Sequence, residues 1–231
     1  MLEKSRRFSY YLLGLLALSA CSMPLEAGVD VYEGAYFRND GSGKFELSVD
    51  LSKVEKFIKM ASYFNRDPSE CTRAAVHQAF LHTANRLKRV PEITQVTTAR
   101  NARALRFKLS FKFRSIKALN RAMRKIHARV DRRGMVYFKM NNHAFMRVDT
   151  RSIARLVAYR QTHDDSYVTG FDLETFFKNS TYQFVYSFDK PIRQRSHKLS
   201  RITQDRRTVI LNQHIFDEQE KGVSFSNKIV F

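Results

Sequence analysis

Residues 105–114 read Leu-Arg-Phe-Lys-Leu-Ser-Phe-Lys-Phe-Arg, and no other stretch constrains the fold so tightly. Leu105, Phe107, Leu109, Phe111 and Phe113 alternate with Arg106, Lys108, Ser110, Lys112 and Arg114. Side chains leave a strand on opposite faces in turn, so this pattern specifies a strand with one dry face and one wet face. That is the signature of an antiparallel sheet, because parallel strands are buried on both sides. The apolar face needs a cover, and a chain that is 43% apolar with 19 Phe and 10 Tyr can supply one. Such a composition excludes disorder.

The same period recurs. Phe45, Leu47, Val49 and Leu51 alternate with polar neighbours, and Tyr182, Phe184, Tyr186 and Phe188 do so again. Residues 31–38 and 44–51 flank Asn39-Asp40-Gly41-Ser42-Gly43, the composition of a hairpin loop. Further strands are expected over 93–99, 135–140, 143–149, 209–216 and 223–231, with turns at Asn141-Asn142 and Asp205-Arg206. Helices are expected where capping signals precede a 3.6-residue apolar period. Ser52 and Glu55 form a capping box before a helix to about Phe64, and Asp67-Pro68-Ser69-Glu70 opens a second that ends before Pro91. Ile116, Leu119, Met123, Ile126 and Val130 mark a third, and shorter helices are expected to Tyr159 and over 172–179. Strands in hairpin-like pairs predict an α+β domain, a largely antiparallel sheet with three to four helices packed on one face. Its core is expected to use Phe45, Leu47, Val49, Phe107, Leu109, Phe111, Met123, Ile126, Phe184, Tyr186 and Ile210.

The first 21 residues have a different character. Lys4, Arg6 and Arg7 precede an apolar run from Tyr10 to Leu18, then Leu18-Ser19-Ala20-Cys21. A charged start, a short apolar core and small residues at a cleavage point make a secretory signal, and the run is too short for a spanning helix. The last four residues resemble a bacterial lipobox. That resemblance implies a diacylglycerol thioether on Cys21 and cleavage before it, with two or three acyl chains giving stable anchoring where one would not. The expected organisation is a lipoprotein signal peptide over 1–20, a lipidated tether over 21–29 and a single extracytoplasmic domain over 30–231. Ser22, rather than Asp, after the cysteine points to the outer membrane of the bacterial envelope. Cys71 is then left as a lone thiol on an apolar helix face, and a Cys21–Cys71 disulfide is the competing reading.

Charge narrows the partners. The whole chain carries +19, and loss of the first 20 residues, with three basic side chains and one acidic, leaves +17. Between Arg100 and Arg133 stand thirteen Lys or Arg against Asp131 alone. Arg106, Lys108, Lys112 and Arg114 fall on the polar strand face. Lys117, Arg121, Arg124 and Lys125 fall largely opposite the apolar stripe of the following helix. Together they are expected to form a basic ridge for phosphates or carboxylates, which Arg grips bidentately. A solvated basic face without a ligand explains the same charges. A second cluster, Arg193, Arg195, His197, Lys198 and Arg201, follows Pro191.

The order of elements resembles the LppM-like family of envelope lipoproteins over most of residues 30–216. The matching features are the lipobox at Cys21 and Asp40-Gly41-Ser42-Gly43 before an alternating strand. Phe188-Asp189-Lys190-Pro191-Ile192 ahead of Asp205-Arg206-Arg207-Thr208-Val209 completes the set. The resemblance implies an α+β extracytoplasmic domain that binds envelope lipids or glycolipids, with no catalytic residues to carry over. Some relatives finish in a transmembrane helix, whereas this chain ends in the alternating Val223, Phe225, Asn227, Ile229 and Phe231.

Enzymatic constellations are poor. His77 and His82 are five apart and do not share a helix face, and His163-Asp164-Asp165 reads as a polar loop tip. Ser187 and Lys190 fit a Ser-x-x-Lys spacing on a strand rather than at a helix start, and Gly41-Ser42-Gly43 lacks the Lys of a phosphate-binding loop. The expectation is a non-enzymatic lipoprotein without cofactor or metal. Its partners are the membrane through its anchor and an anionic lipid, acidic glycan or acidic envelope protein. A structural accessory subunit of an envelope complex is the alternative. Nucleic acid, the usual partner of such charge, is scarce where an exported lipoprotein resides.

Overall fold

In the computed structural model, residues 28–54, 68–101, 105–127, 135–148, 179–214 and 225–231 are described. The alternating segments become strands almost residue for residue. β1 (Asp30–Phe37) and β2 (Gly43–Asp50) form the first hairpin, and β3 (Ile93–Asn101) and β4 (Arg106–Phe113) the second. β5 (Phe138–Met140) pairs with β6 (Ala144–Arg147). The chain continues through β7 (Thr181–Phe188), β8 (Gln194–Arg195), β9 (Arg201–Ile202), β10 (Thr208–His214) and β11 (Asn227–Val230).

Seven strands make one sheet in the order β3-β4-β2-β1-β7-β10-β9, and four make a second in the order β5-β6-β11-β8. All pairings are antiparallel except that of β1 with β7, at the middle of the large sheet. At the β1–β2 turn Gly41 takes a left-handed φ of 78°. Gly43 cannot carry a side chain, because a Cβ there would stand 1.9 Å from the carbonyl oxygen of Tyr36.

The fold is mainly β, which overturns the expected α+β arrangement with three to four helices. Among the described residues the helices are α1 (Pro68–Leu87) and α2 (Ile116–Ile126), besides one 3-10 turn at Ser52–Val54. The physical reason lies in what covers the large sheet. α1 and α2 pack on β3 and β4. The rest of the apolar face is covered by the small sheet, through rings rather than helices. Phe145 of β6 lies 4.6 Å from Phe37 and 5.0 Å from Phe188, and Phe231 lies 5.0 Å from Phe188, centroid to centroid. The helices expected beyond Val54, to Tyr159 and over 172–178 lie outside the described residues, as do Cys21 and His163-Asp164-Asp165.

Ser115 caps α2 by accepting from the amide of Ala118, as its place before the apolar period requires. Ala118, Leu119, Ala122 and Met123 are buried against the sheets. Asn120, also buried, donates to the carbonyls of Ile116 and Phe138 and accepts from the amides of Tyr137 and Phe138. One amide side chain thus ties α2 to the edge of the small sheet.

Of the expected core, Phe45, Phe107, Leu109, Phe111, Met123, Phe184 and Tyr186 are buried. Leu47, Val49 and Ile126 are half-buried. Ile210 is on the other face: in β10 the core positions are Val209, Leu211 and Gln213.

Candidate functional site

The registers of the large sheet decide which side chains share its polar face. Arg106, Lys108, Ser110 and Lys112 of β4 stand opposite Asp50, Ser48, Glu46 and Lys44 of β2. Asp30, Tyr32, Gly34 and Tyr36 of β1 follow, then Thr181, Gln183, Val185 and Ser187 of β7. Thr208, Ile210 and Asn212 of β10 come next, with the exposed Arg201 of β9 opposite Ile210. Among the described residues no helix or strand lies over this face, because α1, α2 and the small sheet all occupy the apolar side.

Most of the charge on the face is neutralised locally. Arg106 holds Asp50 at 2.6 Å, Lys108 holds Glu46 at 2.7 Å, and Lys53 holds Asp30 at 2.8 Å. Burial acts to raise the carboxyl of Asp50, but hydrogen bonds from Ser52 and Arg106 outweigh it and leave the group below the ordinary carboxylate value. Lys44 and Lys112 are Cα partners on neighbouring strands, both exposed, with no acid paired to either among the described residues. Like charges placed directly opposite repel.

At the far end of the same face is a groove of about 520 Å3, lined among others by Tyr32, Ser48, Asp50, Arg106, Gln183 and Asn212. Tyr32 lies down along the strand. A Cβ on Gly34 would come within 2.6–2.9 Å of its hydroxyl and ring atoms, so a larger residue there would push the ring aside. Burial and the nearby Glu46 carboxylate push the Tyr32 hydroxyl above the ordinary phenol value, partly offset by Lys108.

The structure divides the residues expected to form one ridge. Arg106, Lys108 and Lys112 share the open face, and the exposed Arg114 follows at the end of β4. Lys117, Arg121, Arg124 and Lys125 belong to α2, which packs on the side of the sheet opposite Arg106, Lys108 and Lys112; the two sets approach at Glu92, where Arg114 donates its amide to the carbonyl. Arg121 pairs with Glu92 at 3.0 Å and Arg124 donates to the carbonyl of Met135, while Lys117 and Lys125 are exposed. Arg193, Arg195 and Lys198 stand exposed around β8 at the edge of the small sheet.

Sequence reasoning missed the most heavily charged part of the core. Glu33 of β1 is fully buried and accepts from both Nε and Nη2 of Arg147 in β6 at 3.2 Å. It also accepts from Tyr182 at 2.7 Å and from Tyr186. Arg147 lies over the rings of Phe184 and Phe138, 5.1 and 5.4 Å from their centroids. Burial acts to raise the Glu33 carboxyl, but Arg147 and the two tyrosine hydroxyls overcome it and hold the group below the ordinary value. Every carboxylate oxygen is satisfied from inside, so the cluster is a lock between the two sheets rather than a reactive site. The one signal available was an acid at an inward position of the Val31, Glu33, Ala35, Phe37 alternation.

Among the described residues no group of His, Cys, Asp or Glu is placed to hold a metal ion, and no helix is long and apolar enough to cross a membrane. No family model matches the chain, and no curated protein does. Among solved structures, the folded domain of LppM from Mycobacterium tuberculosis aligns with a TM-score of 0.41 at 8% identity, covering 89% of this chain and 90% of that one. That is a remote structural relation, and it carries no functional inference.

Proposed function

We propose that this chain is a lipid-anchored, non-enzymatic binding protein of the bacterial envelope, which holds a phosphate- or carboxylate-bearing component on the open face of its large sheet. The supporting observation is the Lys44–Lys112 pair. Arg106 and Lys108, their neighbours along β4, have acids of their own, whereas these two face each other across adjacent strands and water. A bound anion removes their mutual repulsion, and two cations near an anionic surface contribute about 1 kcal/mol each. Cys21 is the anchor, by the lipobox reading. The seven residue steps from Cys21 to Gly28 reach at most about 25 Å, which keeps the start of β1 near the bilayer surface. The outer membrane is the compartment, on the Ser22 reading.

The test uses the full chain in nonionic detergent, titrated with short-chain phosphatidylglycerol and, in parallel, with an acidic oligosaccharide. Lys44→Glu with Lys112→Glu is expected to weaken capture of the true ligand class by about 30-fold or more, as about 2 kcal/mol requires. Lys117→Glu with Lys125→Glu, on the other side of the sheet, is expected to leave it unchanged. Equal binding by all three proteins refutes the site. Capture of an acidic protein in place of both titrants favours the accessory-subunit reading.

A further inference from the structure

The groove around Tyr32 differs chemically from the Lys44–Lys112 end of the face, and it lies four residues further along β1, about 13 Å away at 3.3 Å per residue. Its charges are balanced: Asp30 is paired with Lys53 and Asp50 with Arg106. A free ion therefore finds no counter-charge there. The lining is polar, so an acyl chain finds no dry wall. What the groove offers is an aromatic side chain in its lining with planar hydrogen-bonding groups beside it. Tyr32 lines the groove and reaches over Gly34, and Gln183 and Asn212 are Cα partners on adjacent strands. Their side-chain amides have no hydrogen-bond partner among the described residues. Each amide presents an acceptor oxygen and a donor NH2 side by side, the geometry that matches two neighbouring hydroxyls. The volume lies within the range of small-ligand sites.

We infer that this groove binds a neutral saccharide ring. The C–H face of the ring stacks on Tyr32, whose π face is the negative side of the aromatic quadrupole. Vicinal hydroxyls bond to the amides of Gln183 and Asn212, with Ser48 and the fixed Asp50–Arg106 pair at the rim. This goes beyond the anion-binding reading and stands without it, because the two sets of residues do not overlap.

Saturation-transfer-difference NMR tests it, on the full chain in a detergent without a sugar head group. The methyl glycosides of glucose, galactose, mannose and N-acetylglucosamine serve as probes. Transfer to ring protons of at least one is expected from the wild-type chain. It should fall at least fivefold in Gln183→Ala with Asn212→Ala and in Tyr32→Leu, and persist in Lys44→Glu with Lys112→Glu. Asn212 is exposed, so Asn212→Ala alone reports on the groove even if the other variants lose their fold. No transfer to any of the four probes overturns the inference, as does transfer that is undiminished in Asn212→Ala and in whichever other groove variants fold.

Discussion

Replacing Arg147 by Met is the sharpest perturbation this structure offers. It leaves the fully buried Glu33 carboxylate with only two hydroxyl donors and no counter-charge. Breaking one side of a buried ion pair typically costs about 3–5 kcal/mol. Against a domain stability of roughly 5–15 kcal/mol, that is a large share. Part of the loss is avoided if Glu33 takes up a proton, so the variant should be less unstable at pH 5 than at pH 8. Adding Glu33→Leu removes the orphaned charge and should recover most of the loss. It leaves the hydroxyls of Tyr182 and Tyr186 without their acceptor, at about 1–3 kcal/mol each, so Tyr182→Phe and Tyr186→Phe should complete the recovery. Urea unfolding of the single, double and quadruple variants gives the coupling energy directly. The wild-type pair has its own pH signature. Because the folded Glu33 carboxyl sits below its unfolded value, its contribution is complete above the unfolded value. It is lost as pH falls through the folded one. A cost below about 1 kcal/mol for Arg147→Met, or a double variant as unstable as the two singles together, refutes the lock.

His127, stacked on Tyr137 at 5.2 Å, is pushed down to about 4 by burial. The unfolded chain therefore binds a proton near pH 6.5 that the native one refuses, and stability should fall as pH drops from 6.5 towards 4. His127→Phe keeps the stacking and should flatten that slope in a pH series of melting curves. Asn120→Ala removes four hydrogen bonds at a buried junction, from the amides of Tyr137 and Phe138 and to the carbonyls of Ile116 and Phe138, and should cost about 2–4 kcal/mol by urea unfolding. Cys21→Ser should abolish acylation and membrane retention, read by intact mass and cell fractionation; unchanged mass and retention would refute the lipobox reading.

Local pattern made the strand faces legible. Phe107 is buried and Arg106 exposed as the alternation requires, and the Asn39–Gly43 turn joins β1 to β2. Long-range pairing was not legible. Nothing in residues 30–37 announces a parallel partner at 181–188, and the two-residue strands β8 and β9 are too short to carry a period. Three of the four strands of the second sheet were expected, at 135–140, 143–149 and 223–231, but not that they leave the main sheet to form a layer of their own, so the cover of the apolar face was assigned to helices instead. Ile210 was misplaced because Val209, Ile210 and Leu211 are all apolar, so that stretch does not say which face points inward. On the site, Lys44 and Lys112 were each visible as outward cations. That they face each other depends on the β2–β4 register, which composition does not encode.

The parallel β1–β7 pairing sets an order of events for a chain made from its N-terminus. The β1–β2 hairpin emerges early, but the other edge of β1 waits for a strand whose first residue lies 151 positions later. At about 5–20 residues per second, that edge stays unpaired for roughly 10–30 s of synthesis. Throughout that interval Phe37, Phe45 and a bare row of backbone donors and acceptors are open to the wrong partner. That edge of β1 is thus the part of the nascent chain longest exposed to mispairing, until the second half of the chain arrives.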